Sequence, residues 1–329
     1  MGDLLQILTT AIVVGSLYAL IALGYTMVYG ILKFINFAHG DVVTLGAWSS
    51  FALATMLLPA LGVVPASPPW WAGAIVLLGA MVVCATVGFT IERFAYRPLR
   101  GAPRINVLIT AIGVSLLLQN AGQLQYDLGG GVRLPFGAQP QGMPALIPNR
   151  DVVNVELSPA GDGRAAQRLV IGQVDLAIVA IAGVLMIALE LLVHRTRVGL
   201  AMRAVSFRPD IAALMGVPVN RVISLTFVIG SSLAAAAGFL YGMKYTTLQQ
   251  TAHATWVLLG LKAFVSAVVG GIGNLRGAVV GALLIAFIEQ FGARWISADM
   301  RDVYVFAVLI LVLLVRPTGL FGSAAVEKV

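Results

Sequence analysis

The sequence predicts an all-α integral membrane protein, a polytopic bundle of about eight to ten transmembrane helices with discontinuous or re-entrant segments and a small external loop region. Of its 329 residues, 59% are hydrophobic and only 11% are charged, whereas about a quarter of a soluble domain is charged. Long stretches, residues 4–32 and 42–91, carry no charged residue. The net charge of +7 comes from arginines clustered between apolar runs, which argues against a nucleic-acid partner.

The apolar runs predict nine spans in one transmembrane domain covering residues 1–329. The first run is too long for a signal peptide, and a Pro-rich patch at 59–71 divides residues 42–91 into two spans. The further spans are predicted at 105–126, 169–193, 222–243, 255–271, 278–292 and 303–315. The lone Cys84 is interpreted as a small apolar side chain within a helix.

Charge placement predicts the orientation of these spans. Residues 92–104 and 194–221 are rich in arginine and are expected in the cytoplasm, whereas residues 127–168 carry balanced charge and are expected outside. Two spans separate the arginine-rich segments, so the parity agrees, and the N-terminus is expected outside. Turn residues around alternating pieces at 153–157 and 169–171 favour a short external β-hairpin; the alternative is a disordered linker.

Two Gly-interrupted segments form a weak internal repeat, at residues 36–47 and 274–282. Broken, glycine-rich hydrophobic segments in corresponding halves indicate a binding site near the membrane midplane, and polar groups at membrane depth commonly face a cavity. Helix packing through small residues is the alternative. Asp41 is expected to cap a helix. Lys262 is expected to snorkel to an interface, and otherwise to face a cavity or to pair with an acid such as Glu289. The candidate translocation path comprises Asn36, His39, Gly40, Asp41, Lys262, Gly270, Gly271, Gly273 and Asn274.

The arginine-rich segment 194–221 predicts a short docking helix on the cytoplasmic side. Pro209 suits the first helical position, Asp210 the first turn, and Gly216 the position just beyond the end. A plain positive-inside loop is the alternative.

The chain resembles the LivH-type permease subunit of the branched-chain (hydrophobic) amino acid ABC importer family over nearly its whole length. The resemblance is carried by residues 15–25, by 36–40, by Arg203-Ala204 with Ala212, Ala213 and Gly216, and by 260–277. It implies a multi-pass protein of the bacterial inner membrane that moves branched-chain or related small amino acids. The family also includes importers of urea and amides.

The resemblance implies several partners: a second, LivM-like permease, two cytoplasmic ATPase subunits and a periplasmic solute-binding protein, with membrane lipid around them. It places Ala212, Ala213 and Gly216 in the loop that contacts an ATPase, although the leading Glu of the general ABC coupling signature is absent. The neighbouring Arg203, Arg208 and Asp210 complete the predicted coupling set.

The chain has no phosphate-binding loop, since Gly-Lys never occurs in it. We therefore expect a translocation subunit that is not itself an enzyme and binds no cofactor, with ATP and Mg used by the partner ATPases. One alternative is an ion-coupled secondary transporter using Asp41, Asp175, Glu190, Lys262 and Glu289. The other is a passive channel for a small polar solute such as urea or amides.

Overall fold

The computed structural model describes residues 2–64, 68–124, 126–127, 133–134, 136–158 and 167–322. Its described residues are mostly helical, as the composition predicts. The helices are α1 (Gly2–Leu32), α2 (His39–Ala52), α3 (Leu58–Ala60), α4 (Trp70–Ile91), α5 (Arg104–Ala121), α6 (Gln173–Arg195), α7 (Arg197–Phe207), α8 (Pro209–Leu214), α9 (Val219–Lys244), α10 (Ala254–Gly270), α11 (Leu275–Trp295) and α12 (Arg301–Val315).

Six helical stretches among the described residues are long and apolar enough to cross a membrane: Leu4–Leu32, His39–Ala60, Trp71–Leu99, Gln173–Arg195, Val219–Lys244 and Leu275–Trp295. Two shorter apolar helices cover Ile105–Ala121 and Ala254–Gly270. Each of these eight coincides with a predicted span, and the 15-residue α12 coincides with the ninth. Short π-helical turns at Leu53–Leu57 and Glu92–Tyr96 interrupt two of the long stretches.

Helix α1 forms the centre of the bundle and packs against α6, α9, α10 and α11. Its middle is almost fully buried, whereas α6 presents large apolar side chains such as Val184, Ile187 and Leu191 on the outside. An aqueous surface does not tolerate such a continuous apolar exterior, so lipid must cover it.

The two ends of the bundle are distinct, and α6 connects them. At one end the two arginine-rich segments meet: Arg100 donates a hydrogen bond to Asn220, and the buried Glu92 accepts from Arg100 and Ser224. At the other end Gln6 exchanges two hydrogen bonds with the backbone of Val170. The predicted cytoplasmic segments therefore share one end, and the predicted external segment lies at the opposite one.

The external end carries the predicted β-strands. Strands β4 (Asp151–Ser158) and β5 (Gln167–Gly172) pair antiparallel, with Val153 opposite Ile171 and Val155 opposite Leu169. The predicted strand pairing is confirmed; residues 159–166, which join the strands, lie outside the described residues. The shorter strands β1 (Tyr126–Asp127), β2 (Arg133–Leu134), β3 (Gln141–Gly142) and β6 (Thr247–Leu248) pair as β1 with β2 and β3 with β6.

Non-helical backbone enters the bundle between α1 and α2. Lys33 adopts a left-handed conformation, with φ of 56°, just after α1 ends. The ring of His39, the first residue of α2, lies against Gly24, and Gly24 lies eight residues, or about 12 Å, before the end of α1. Residues 33–38 therefore run back alongside α1 at membrane depth. Such backbone is tolerated in a membrane where protein surrounds it.

The segment near Asn274 is different, because it is a tight turn between two closely packed helices. A Cβ atom added to Gly281 would lie 2.2 Å from the Ser266 carbonyl oxygen, so α10 and α11 touch backbone to backbone. Gly271 and Gly273 adopt φ values of 108° and 97°, which glycine accepts without steric cost. This half of the sequence repeat is therefore a turn between closely packed helices, as the alternative of helix packing through small residues predicts.

Candidate translocation site and coupling helices

The start of α2 brings together polar side chains that the surrounding helices bury. Asn36, His39 and Asp41 are all buried. The Oδ1 atom of Asn36 accepts a hydrogen bond of 2.6 Å from the hydroxyl of Tyr96, which follows α4. This segment combines buried polar groups with non-helical backbone, as transporter binding sites do.

Glycines let the backbone of α2 lie close to its neighbours at this level. A Cβ atom on Gly24 would lie 2.2 Å from His39 Nε2, and one on Gly260 of α10 would lie 3.0 Å from the Gly40 Cα. The Tyr25 ring makes an edge contact with His39 at 4.7 Å between ring centroids. The buried Nε2 of His39 faces Gly24 and makes no hydrogen bond of normal geometry with the described residues.

Asp41 lies inside the bundle and does not cap a helix. The cap position of α2 belongs to Ala38, so the N-cap prediction is wrong; the helix begins three residues earlier than a cap at Asp41 would place it. The Asp41 carboxylate instead accepts a 2.9 Å hydrogen bond from Gln119 of α5. Asp41, Gln119 and Thr251 border a small cavity of about 20 Å³ between α2 and α5, the volume of roughly one water molecule.

Lys262 belongs to a second, separate cluster. Its ammonium lies 2.8 Å from Glu289 of α11 and 2.7 Å from Asp302 of α12, so of the alternatives stated for Lys262 the pairing with Glu289 is the one observed. The hydroxyl of Tyr18 in α1 donates to the other Glu289 oxygen at 2.7 Å. The four helices α1, α10, α11 and α12 thus contribute to one cluster in which each charged group has a partner of opposite charge.

The predicted path residues Gly270, Gly271, Gly273 and Asn274 lie in neither cluster. Asn274 caps α11 by accepting from the Gly277 amide at 3.1 Å and donates to the Phe321 carbonyl. Gly270 is ten residues, or about 15 Å, beyond Gly260 along α10. The two halves of the sequence repeat therefore do not converge on one site, because one half turns inside the bundle and the other turns at its end.

The predicted docking segment forms two short helices at the arginine-rich end. Thr196 caps α7. Pro209 opens α8, as predicted. Gly216 has a φ of 81°, its amide bonds to the Ala213 carbonyl, and the Val217 amide bonds to that of Ala212. These two bonds form a Schellman motif, which explains the glycine.

The remaining coupling candidates divide between the interior and the surface. Ala212 is buried, Arg203 donates to the Val193 carbonyl at the end of α6, and Arg208 makes an exposed 3.7 Å ion pair with Asp210. The tip around α8 instead exposes apolar side chains: Phe207, Leu214 and Met215 are 85%, 86% and 80% accessible. Sequence reasoning passed over these three residues.

Helix α7 also contacts the central helix of the bundle. The Ser206 hydroxyl donates a 2.6 Å hydrogen bond to the Gly30 carbonyl, in the last turn of α1. Beyond that turn, the chain runs into residues 33–38 and the polar start of α2. Helix α7 is therefore connected to the candidate site through one hydrogen bond to α1 and the short segment that follows α1.

Several site residues were missed from the sequence, namely Tyr18, Tyr96, Gln119 and Asp302. Tyr18 and Gln119 stand in otherwise apolar helices, so their polarity was a usable signal. Tyr96 and Asp302 lie at helix ends, where polar residues are ordinary, and their role depends on tertiary contacts.

A polytopic helical bundle with buried polar groups beside broken backbone defines a membrane transport protein. The family model described as branched-chain amino acid transport system, permease component, matches residues 7–313. The chain belongs to this family and is a multi-pass protein of the inner membrane.

Curated relatives match the chain over nearly its full length. The permease BraD of Pseudomonas aeruginosa, of a high-affinity branched-chain amino acid transport system, is 41% identical over 330 residues, covering 99% of this chain and 98% of that protein. The corresponding permease LivH of Escherichia coli K12 is 39% identical, with 99% and 97% covered. A probable LivH of Methanocaldococcus jannaschii is 24% identical, with 96% and 92% covered. No solved structure matches the chain.

Proposed function

We propose that the chain carries branched-chain or related small amino acids across the inner membrane as one of two permease subunits of an ATP-driven importer. The second permease, two ATPase subunits and a periplasmic binding protein complete the assembly. Nearly full-length relatives named for high-affinity branched-chain amino acid transport support the solute class. ATP and Mg are used by the partner ATPases, and this chain binds no cofactor of its own.

The observation that carries the proposal is the connection from the exposed α8 tip to the interior. The apolar side chains Phe207, Leu214 and Met215 suit a groove on a soluble partner, because burial of such residues drives association. ATP binding on that partner shifts α8, and the Ser206–Gly30 hydrogen bond carries the shift to α1. The polar start of α2 then changes its exposure to either side.

An amino acid brings an ammonium group, a carboxylate and an apolar side chain into the membrane. The Asn36–Asp41 segment offers polar groups of matching kinds at depth: the His39 imidazole, the Asp41 carboxylate and the Asn36 amide. Polar groups that are already buried favour a polar solute because the protein has met their desolvation cost during folding.

The ion-coupled alternative is less well supported by the charges inside the bundle. Asp175 pairs with Lys244, Glu190 with Arg276, and Glu289 with Lys262. Groups held in such pairs are poorly available to bind and release a coupling ion. Asp41 is the one remaining acid of that set in the described residues, and it is held by Gln119.

The decisive experiment is reconstitution with and without the partners. Tagged chain is expected to co-purify with a second permease and two ATPases, and the assembly in liposomes should take up leucine only with ATP and loaded binding protein. Leucine uptake by the isolated chain under an ion gradient would establish the secondary transporter instead. Uptake of urea in preference to leucine would overturn the solute assignment while leaving the ATP-driven mechanism intact.

Gly216 provides a test of the coupling helix. Gly216→Val is expected to reduce binding-protein-stimulated ATP hydrolysis at least severalfold, because a β-branched residue at φ of 81° costs about 1–2 kcal/mol and opens the Schellman turn. Gly216→Asn is the matched control, since Asn tolerates the left-handed conformation. Equal ATPase stimulation in both variants, measured on the reconstituted complex, would remove the α8 turn from the coupling mechanism.

A further inference from the structure

A large groove opens at the arginine-rich end of the bundle, between the end of α4 and the start of α9. Its volume is about 900 Å³. Three arginines line it, Arg93, Arg97 and Arg221, and its lining contains no Asp or Glu. A groove with one sign of charge attracts a ligand of the opposite sign.

The charge of this groove is not neutralised by the chain itself. Within the described ranges, none of the three arginines has an acidic partner within ion-pair distance. Glu92, the acid beside Arg93 in sequence, is fully buried and is held by Arg100 and Ser224. The guanidinium groups are therefore available to an external anion.

The wall of the groove continues into the membrane as an apolar surface. Phe89 lies near the end of α4, four residues before Arg93 of the π-helical turn that continues it. Leu225 and Val228 follow Arg221 by four and seven residues on α9, so they lie on the same helix face as that arginine. All three line the groove. Since both helices run from this end into the bilayer, Val228 lies about 10 Å deeper than Arg221.

We propose that this groove binds an anionic phospholipid of the cytoplasmic leaflet. The phosphate lies among Arg93, Arg97 and Arg221, because guanidinium forms paired, charge-assisted hydrogen bonds to phosphate oxygens. One acyl chain follows Phe89, Leu225 and Val228. A soluble acidic partner would contact the arginines but not the apolar wall, which extends into the bilayer. A phospholipid contacts both, the arginines through its phosphate and the apolar wall through an acyl chain.

The proposed lipid would lie beside the coupling helix, since Ala213 of α8 borders the same groove. The apolar tip of α8, Leu214 and Met215, is exposed and does not line the groove. The proposal, which rests here on the proposed function, therefore requires lipid and ATPase to occupy adjacent surfaces that meet at Ala213.

Native mass spectrometry of the full-length chain with phosphatidylglycerol and phosphatidylcholine tests the proposal. Each arginine replaced by glutamine is expected to weaken phosphatidylglycerol binding roughly fivefold. Arg93→Gln, Arg97→Gln and Arg221→Gln together should then remove the bound lipid. The charge-matched control carries Arg195→Gln, Arg197→Gln and Arg316→Gln, three exposed positions outside the groove, and should retain it. The single Arg221→Gln, at an exposed position, keeps the test valid if the triple variant unfolds.

Three results would overturn the assignment. Equal phosphatidylglycerol retention in the groove and control variants would show that only overall charge matters. Displacement of the lipid by soluble glycerol phosphate at equal concentration would show that the apolar wall does not contribute. Loss of the lipid when the ATPase subunits assemble on the chain would show that the groove belongs to their docking surface.

Discussion

Replacing Lys262 by methionine is expected to lower the free energy of unfolding by about 3–5 kcal/mol, because it leaves a buried carboxylate without its cation. Glu289 is buried and retains only the Tyr18 hydroxyl as a donor once Lys262 is gone. Glu289→Leu is expected to cost less, since Lys262 keeps its 2.7 Å contact with Asp302. The measurement is equilibrium unfolding in mixed detergent and SDS.

A double-mutant cycle separates the pair from its surroundings. The variant combining Lys262→Met with Glu289→Leu is expected to be more stable than the sum of the two single effects by about 0.5–3 kcal/mol, since neither charge is then left alone. Asp302→Asn serves as the control and should cost about 1 kcal/mol or less, because its side chain is 42% exposed. Additive effects, or a cost below about 1 kcal/mol for Lys262→Met, would show that the buried pair contributes little to the fold.

The helices were predictable because lipid imposes a simple rule on the sequence. Charged side chains are costly to place in lipid. The absence of charged residues from residues 4–32 and 42–91 therefore indicates the membrane spans directly. The arginine-rich segments likewise revealed which loops share an end, and the Arg100–Asn220 contact agrees. The short docking helix was predictable in detail because Pro209 and Gly216 act through local backbone geometry alone.

The site was predictable only in part, because spacing along the chain does not give depth. The Asn36 and Asn274 segments look alike in sequence, yet residues 33–38 return into the bundle while 271–274 form a turn at its end. The difference arises from partners distant in sequence: the Tyr96 hydroxyl donates a hydrogen bond to Asn36, whereas the Phe321 carbonyl accepts one from Asn274. The Lys262–Glu289 pair was among the alternatives predicted from the sequence, because charged side chains within apolar helices are costly unless they pair with each other or face a cavity.

Gly238 is a position where one added methyl group should be strongly damaging. A Cβ atom there would lie 2.3 Å from the Val43 carbonyl oxygen and 2.7 Å from the Ala47 amide nitrogen, both backbone atoms of α2. Backbone cannot rotate away as a side chain can, so α2 and α9 must separate. Gly238→Ala is expected to cost about 3 kcal/mol or more, read as a lower unfolding midpoint and lower yield of folded protein.

Gly183 on α6 is the matched control, since an added Cβ atom there meets nothing within 4 Å. Gly183→Ala is expected to be neutral or to stabilise the helix by up to about 1 kcal/mol, because alanine is the better helix former. The same substitution should thus have opposite signs at two glycines of membrane-spanning helices. If both variants unfold alike, then close approach of α2 and α9 does not hold the bundle together. If Gly238→Ala folds but loses uptake, a displacement of α2, which carries His39 and Asp41 of the proposed solute path, is the expected cause, and the packing of this helix is then tied to transport.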